Sequence, residues 1–300
     1  MKTKVPYTID LDQSFRPLYQ YRPLEVKRTT FHGGEPHFSL RLDKTPESDD
    51  FVYITQRFNS TDDIVMILVA ADAARRMGFK HLGLVLPYFP AARQDRVCNP
   101  GESLTVKVFA DLINSVGFED VVIYSPHSEV TPALLNNVTE LDLDADYIKR
   151  IVKQFHAAGW GAINIVCPDA GAGKRVGKLA KVVANEYLDL KVNLIRCEKV
   201  RDVSNGQLKE FYVAAEYLEG LPTIICDDIV SMGGTFVGLG EQLKKRGAGP
   251  LVLFTSHADA QAGLEKMSEF FDKVYTSNSK RDWKLLESTR GNLYVFDIKL

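Results

Sequence analysis

The chain has 300 residues, 45% of them hydrophobic and 25% charged, which is the composition of a globular protein with room for two cores. A formal charge of −2 gives no general electrostatic case for nucleic acid or an anionic membrane surface, so small phosphorylated molecules held by local basic clusters are the better expectation. No run approaches the ~18 apolar residues of a membrane span, and the stretch around Asp10 and Asp12 does not read as a signal peptide. Cys98, Cys167, Cys197 and Cys226 show no CxxC spacing. They predict a reduced chain, placed in the cytoplasm.

In chain order, Phe51 to Thr55 is a short β-branched run that reads as a buried strand, and Ile64 to Met77 follows with apolar residues at helical spacing behind Thr61, Asp62 and Asp63 as cap candidates. His81 to Leu86 is the next strand. After it, Pro87, Tyr88, Phe89 and Pro90 lead to Arg93, Gln94, Asp95 and Arg96, a cluster that can hold polyphosphate oxygens or, more blandly, form a salt-bridged surface turn. A helix over Leu104 to Val116 and a strand over Val121 to Tyr124 come next, and Ser125, Pro126 and His127 follow. That histidine is structural, or else a metal ligand or phosphate contact.

The strand–helix series then breaks near Leu141 to Asp146, which marks a domain boundary. It resumes with a strand over Ile163 to Cys167, trailed by Pro168, Asp169, Ala170, Gly171, Ala172, Gly173 and Lys174. A P-loop is excluded, since GxxxxGK[ST] needs glycine at Pro168 and Ser or Thr at Arg175. The better reading is a phosphate turn with Asp169 aimed at a divalent cation. A helix over Val176 to Tyr187 and a strand over Lys191 to Arg196 lead to Glu198, Lys199, Val200 and Arg201, where a basic Lys-x-Arg suits closure over developing phosphoryl charge. Thr223 to Cys226 is a buried strand with Asp227 and Asp228 at its carboxyl end, and Ser231, Met232, Gly233, Gly234 and Thr235 form a turn whose backbone amides can cradle an anion. Carboxylates suited to ribose hydroxyls thus stand beside a phosphate cradle. Pro250 to Phe254 is a further strand, and the alternation predicts an α/β fold of parallel sheets flanked by helices.

These residues resemble the ribose-phosphate pyrophosphokinases, the phosphoribosyl pyrophosphate (PRPP) synthetases, from about Phe31 to Asn278. Pro87, Tyr88, Phe89, Ala92, Arg93, Gln94, Asp95 and Arg96 match the family's PYxxYARQDR. Glu102, Thr105, Lys107 and Ala110 match its EPITAK helix, and Pro168, Asp169 and Gly171 its PDxG. Lys199 and Arg201 match its flexible-loop pair, and Asp227 to Thr235 its ribose-phosphate signature. The resemblance implies two phosphoribosyltransferase-like (Rossmann-like) domains, over 1–145 on the ATP side and 146–285 with the ribose-phosphate loop. The chain departs from it at the end, where Leu293 to Ile298 is strand-like instead of the family's helix, and this strand within 286–300 is expected to return to the N-terminal domain. The resemblance also implies Mg²⁺-dependent transfer of the β,γ-diphosphoryl group of ATP to the anomeric hydroxyl of a ribose 5-phosphoryl sugar, with AMP released, in a homodimer or higher dimer-based oligomer. Phe31, Glu35, Arg93, Gln94, Asp95 and His127 would serve ATP, with Phe31 and Glu35 reaching adenine across a subunit interface. His127 and Asp169 would serve Mg²⁺, Lys199 and Arg201 the transferring group, Asp227 and Asp228 the ribose hydroxyls, and Ser231 to Thr235 the 5-phosphate.

The chain departs from the family at its ligands. The phosphate loop normally reads DDxxDTGGT or DDxxDTAGT, and here Ser231 and Met232 replace the Asp-Thr pair. The FSDGE motif has Gly33 at its aspartate, and Ala170 and Ala172 break PDHGG. Loss of a loop carboxylate beside an apolar Met232 suits a sugar whose 5-phosphate continues into a further group. ADP-ribose is such an acceptor beside ribose 5-phosphate, and its product would be an activated ADP-ribose for nicotinamide capture. Two other classes stand against this reading: a catalytically silent regulatory paralogue, and a phosphoribosyltransferase that consumes PRPP, although neither needs the complete set of basic residues.

Overall fold

The structure is a computed structural model that describes residues 4–201 and 208–300, with side chains over 4–198 and 211–300. The chain divides into two compact units. One runs through Leu141 and adds Ser279–Asp282 and Asp297–Leu300, and the other comprises Asp142–Asn278 and Trp283–Phe296.

In the first unit, β1 (Tyr7–Asp10), β2 (Arg22–Pro23), the hairpin strands β3 (Glu25–Thr30) and β4 (Pro36–Arg41), and β5 (Phe51–Thr55) precede α1 (Thr61–Met77). Then come β6 (His81–Val85), α2 (Thr105–Val116), β7 (Asp120–Tyr124), α3 (Val130–Leu134) and β8 (Val138–Leu141). The sheet order is β2-β1-β5-β6-β7-β8, with every pairing parallel, while β3 and β4 pair antiparallel on their own. Helix α1 starts a turn earlier than its apolar spacing predicts. Ser60 is the N-cap, and its amide donates to Asp63 Oδ2 at 2.9 Å, so the expected cap residues Thr61 to Asp63 form the first turn. Gly78 closes the helix in the left-handed region at φ 112°. The buried stripe Ile64, Ile67, Ala71 and Ala74 packs on Val52, Ile54, Leu82, Leu84, Val121 and Ile123. Each such large aliphatic contributes about 1.5–3 kcal/mol by leaving water.

In the second unit, α4 (Asp144–Ala157), β9 (Ala162–Cys167), α5 (Gly173–Glu186), β10 (Lys191–Arg201), β11 (Leu208–Val213) and β12 (Thr223–Val230) are followed by α6 (Gly234–Lys245) and β13 (Leu251–Ala258). Next come α7 (Gln261–Phe270), β14 (Lys273–Ser277), α8 (Lys284–Thr289) and β15 (Leu293–Phe296). The order is β11-β10-β9-β12-β13-β14-β15, parallel except for the β10–β11 pair. Chain connections leave β9 towards β10 on one side and β12 towards β13 on the other. The switch in direction therefore falls between β9 and β12, where ligands of open α/β sheets bind.

Several expectations need correction. Strand β10 does not end at Arg196 but continues to Arg201, because Cys197 to Arg201 pair antiparallel with β11, so the backbone of Lys199 and Arg201 is in a strand and not in a loop. Strand β13 likewise continues past Phe254 to Ala258. Strand β12 does not stop at Cys226 but continues to Val230, because Asp227, Ile229 and Val230 pair with Thr255, His257 and Ala258 of β13. The C-terminal strand does not return to the first unit. β15 pairs parallel with β14 from Val274↔Leu293 to Ser277↔Phe296 and extends the second sheet, burying Leu293 and Phe296, and only the last four residues group with the first unit. Among the described residues no helix is long and apolar enough to cross a membrane.

Candidate functional site

In the first unit the loops that follow β6 and β7 meet. Asp95 is buried, and its carboxylate accepts Arg96 Nε at 3.0 Å. Arg96 first, and then Ser128 and the nearby His127, hold that carboxyl below the usual range against the effect of burial. Arg93, Gln94 and His127 are exposed around it. Asp95 thus ties the loop after β6 to Ser128 and His127 of the loop after β7. Both loops carry a non-glycine residue in the left-handed region, Ala91 at φ 54° and Ser125 at φ 44°. Such backbone costs on the order of 1–3 kcal/mol and concentrates at ligand-binding loops. Phe31 and Glu35 stand on the β3–β4 turn, where Phe31 N donates to Glu35 O at 2.9 Å. The Phe31 ring is 57% exposed and tilts against His37 with 5.7 Å between ring centroids. His37 was not singled out in the sequence, and the antiparallel register Thr29↔His37 is what brings it alongside.

The first sheet switches direction between β1 and β5, and there the crevice is filled. Arg57 is 2% exposed, donates through Nε to Asp12 Oδ2 at 2.7 Å and through Nη2 to Ser14, and lies over the Phe15 ring at 5.3 Å. Burial opposes the Asp12 charge, but the hydrogen bonds from Arg57 and Ser14 outweigh it and hold the carboxyl below its ordinary range.

The switch in the second sheet is acidic. Pairing of β12 with β9 ends at Ile225↔Val166, so Asp227 and Asp228 have a neighbouring strand only on the β13 side. The Asp227 carboxylate accepts the Asp228 amide at 2.9 Å. Burial, then the like charge of Asp228, and more weakly that of Asp169, push its pKa well above the usual carboxylate range. Across the gap, Asp169 Oδ1 accepts the Ala172 amide at 3.1 Å and would sit 3.3 Å from a Cβ at Gly171, so the turn that opens α5 is folded around this carboxylate. The buried Cys167 thiol, pushed up by burial, feels Asp169 and Asp227 on one hand and Arg196 on the other.

Beyond β12, Gly233 at φ 72° is the N-cap of α6. The left-handed backbone favours glycine there, and a Cβ would lie 2.3 Å from Met267 Cε and displace the tip of that side chain. Ser231 Oγ donates to Asp259 Oδ2 at 3.4 Å, and Met232 is 61% exposed. A Cβ on Gly263 would fall 1.6 Å from Ser231 O, so α7 is a backbone platform under the 231–235 turn. Neither Gly263 nor Met267 was expected at the site. Their one sequence signal is a glycine inside an otherwise apolar-periodic helix.

The structure therefore gathers Asp169, Asp227, Asp228 and Ser231 to Thr235 at the strand ends of the second sheet, and Arg93 to Asp95 with His127 in the first unit. Lys199 and Arg201 have backbone in β10, but their side chains lie outside the described residues.

The raised Asp227 carboxyl has a thermodynamic consequence. It binds its proton more tightly in the native chain than in the unfolded one, so its contribution to stability is complete below the ordinary carboxylate pKa of ~3.9 and is lost as pH rises through the folded value. Urea unfolding of the ligand-free protein is expected to show stability falling over that rise, and falling less steeply in Asp227→Asn. Equal slopes would refute the buried like-charge pair.

Comparison with known proteins bears on the family and the fold. Residues 10–117 match the family described as the N-terminal domain of ribose phosphate pyrophosphokinase, and residues 134–286 match the phosphoribosyl transferase domain. The ribose-phosphate pyrophosphokinase of Thermococcus kodakarensis is 28% identical over 262 residues, covering 85% of this chain and 86% of that protein. That of Mycoplasmopsis pulmonis is 27% identical, covering 87% and 78%. The crystal structure of phosphoribosylpyrophosphate synthetase from Mycobacterium smegmatis superposes with a TM-score of 0.77 at 20% identity over 98% of this chain and 94% of that one, a likeness of fold.

Proposed function

Because the chain belongs to the ribose-phosphate pyrophosphokinase family, which takes ATP and ribose 5-phosphate and is typically magnesium-dependent, we propose that it transfers the β,γ-diphosphoryl group of ATP to the anomeric hydroxyl of a ribose 5-phosphoryl sugar. The observation that carries this is the strand-end group of the second unit. Asp227 and Asp228 offer acceptors to two ribose hydroxyls, and the 231–235 turn, braced on Gly263, offers amides to the 5-phosphate. The C1 oxygen attacks the β-phosphorus, its bond to the oxygen bridging to the α-phosphorus breaks, AMP leaves with that oxygen, and the hydroxyl proton is released. Phe31, Glu35, Arg93, Gln94 and His127 would bind the nucleotide, with Asp95 setting the loop they stand on. Such a reaction needs alignment and charge neutralisation more than covalent help.

Among the described residues no three His, Cys, Asp or Glu side chains form a metal cage. Mg²⁺ is nevertheless commonly held by one or two carboxylates with substrate phosphates and water completing the octahedron. Burial first, and then the like charge of Asp228 and more weakly of Asp169, disfavour the Asp227 carboxylate, and a cation would relieve that crowding, so the donor set fits. Asp169 would hold an ion in the second unit, and His127 would serve Mg²⁺ carried by the nucleotide in the first. When bound, it would neutralise phosphate charge.

Two acceptors fit the sugar site, ribose 5-phosphate and ADP-ribose. The exposed Met232 supports the longer one, because an apolar side chain faces solvent where the family motif has a hydroxyl, and the family's loop carboxylate is replaced by Ser231. The product from ADP-ribose would be ADP-ribose pyrophosphate, an activated donor for NAD synthesis. Incubation with ATP, Mg²⁺ and each sugar separately, following AMP, tests both levels. We expect AMP with ADP-ribose. AMP with ribose 5-phosphate alone removes the longer acceptor, and AMP with neither removes the diphosphokinase reading.

A further inference from the structure

We infer that Arg196 is a further substrate-binding residue, its guanidinium holding the diphosphoryl group carried on the sugar's anomeric oxygen. The inference deepens the proposed reaction and rests on that reading. Arg196 stands midway along β10, where the strand's pairing with β9 ends at Arg196↔Cys167, so it is level with the end of β9 and borders the turn that carries Asp169. Its Nη1 lies 3.7 Å from where a Cβ on Gly173 would be, in ordinary van der Waals range of the start of α5. The side chain is exposed, and its guanidinium makes no hydrogen bond or ion pair with a described residue. An exposed arginine at an acidic strand end that pairs with none of the described carboxylates can present its guanidinium fork to an anion.

Topology says which part of the substrate it meets. In the order β10-β9-β12, the Asp169 turn follows the middle strand, with Arg196 to one side and the Asp227–Asp228 pair to the other. Neighbouring strands lie about 4.8 Å apart, so roughly 10 Å separates the two backbones. That distance is about the reach of a ribose ring, held by its hydroxyls at the acidic pair, together with two phosphoryl groups on C1. The 5-phosphate, in contrast, belongs to the 231–235 turn beyond β12. A guanidinium suits this place because its planar fork grips two phosphate oxygens at once, and its Cα is fixed in a paired strand.

The test uses inorganic pyrophosphate with Mg²⁺ as the probe, titrated calorimetrically into the full-length wild type, Arg196→Gln and Arg196→Lys, with a thermal melt of each. The wild type is expected to bind, Arg196→Gln to bind about tenfold or more weakly, as for loss of hydrogen bonds to a charged group, and Arg196→Lys to recover part of the loss, all at similar melting temperature. In the AMP assay kcat falls in Arg196→Gln while the acceptor KM holds. Pyrophosphate affinity in Arg196→Gln equal to wild type, or no binding by the wild type, overturns the assignment. Arg196-dependent binding in a protein that releases no AMP with either sugar supports the anion site and ends the diphosphokinase reading.

Discussion

Replacing Lys199 or Arg201 with alanine is expected to lower kcat for AMP release by about 10²- to 10³-fold, the cost of losing one donor aimed at transition-state charge. The acceptor KM should change little, because the ribose and its 5-phosphate are assigned to Asp227, Asp228 and the 231–235 turn. The two residues are separated by one position on β10 and would act on the same transferring group, so the double variant should lose much less than the product of the single losses. Steady-state kinetics with the acceptor that gives AMP is the measurement. A loss confined to KM would mean that the pair binds substrate without serving the chemical step. Unchanged kinetics would remove Lys199 and Arg201 from catalysis altogether.

Arg57→Ala is expected to destabilise the protein by about 3–5 kcal/mol, the range for removing one partner of a buried ion pair. The reason is specific to the closed crevice of the first sheet. Asp12 would keep a partly buried carboxylate without its guanidinium, and Phe15 would lose the cation over its ring. The lowered Asp12 pKa makes its contribution present above the ordinary carboxylate value and lost as pH falls through the folded one, so the wild type should lose more stability on acidification than the variant. Urea unfolding followed at two pH values checks both points. A change below about 1 kcal/mol, the ceiling for exposed pairs, would show that the pair is worth no more than a surface salt bridge.

The elements that sequence patterning identified were those whose local composition and tertiary fate agree. Phe51–Thr55, Ile163 to Cys167 and the helix through Ile64 and Met77 are β-branched or apolar-periodic and are buried as their patterns require. The misread boundaries lie where pairing overrides propensity. Asp227 and Asp228 are poor strand formers, yet they continue β12 because β13 offers a register partner as far as Ala258. The C-terminal strand has an ordinary apolar pattern, and nothing local distinguishes the edge of one sheet from that of the other. Parallel pairing with β14 decides it. The β3–β4 hairpin was not recognised as a unit because β3 is almost wholly exposed and carries no alternating apolar signal.

The candidate site divides along the same line. The order and spacing of Arg93 to Arg96, Asp169, Lys199, Arg201 and Asp227 to Thr235 identified the family without coordinates and carry the chemistry proposed for it, because charged groups and glycines at strand ends are local features carried in short segments. Tertiary structure alone decided that Arg57 seals one crevice while the other stays acidic, that Gly263 seats the Ser231 carbonyl, that His37 flanks Phe31, and that Arg196 comes to rest beside Gly173. These are juxtapositions of residues from separate segments. They depend on strand order, register and packing distance, which no single stretch of chain encodes.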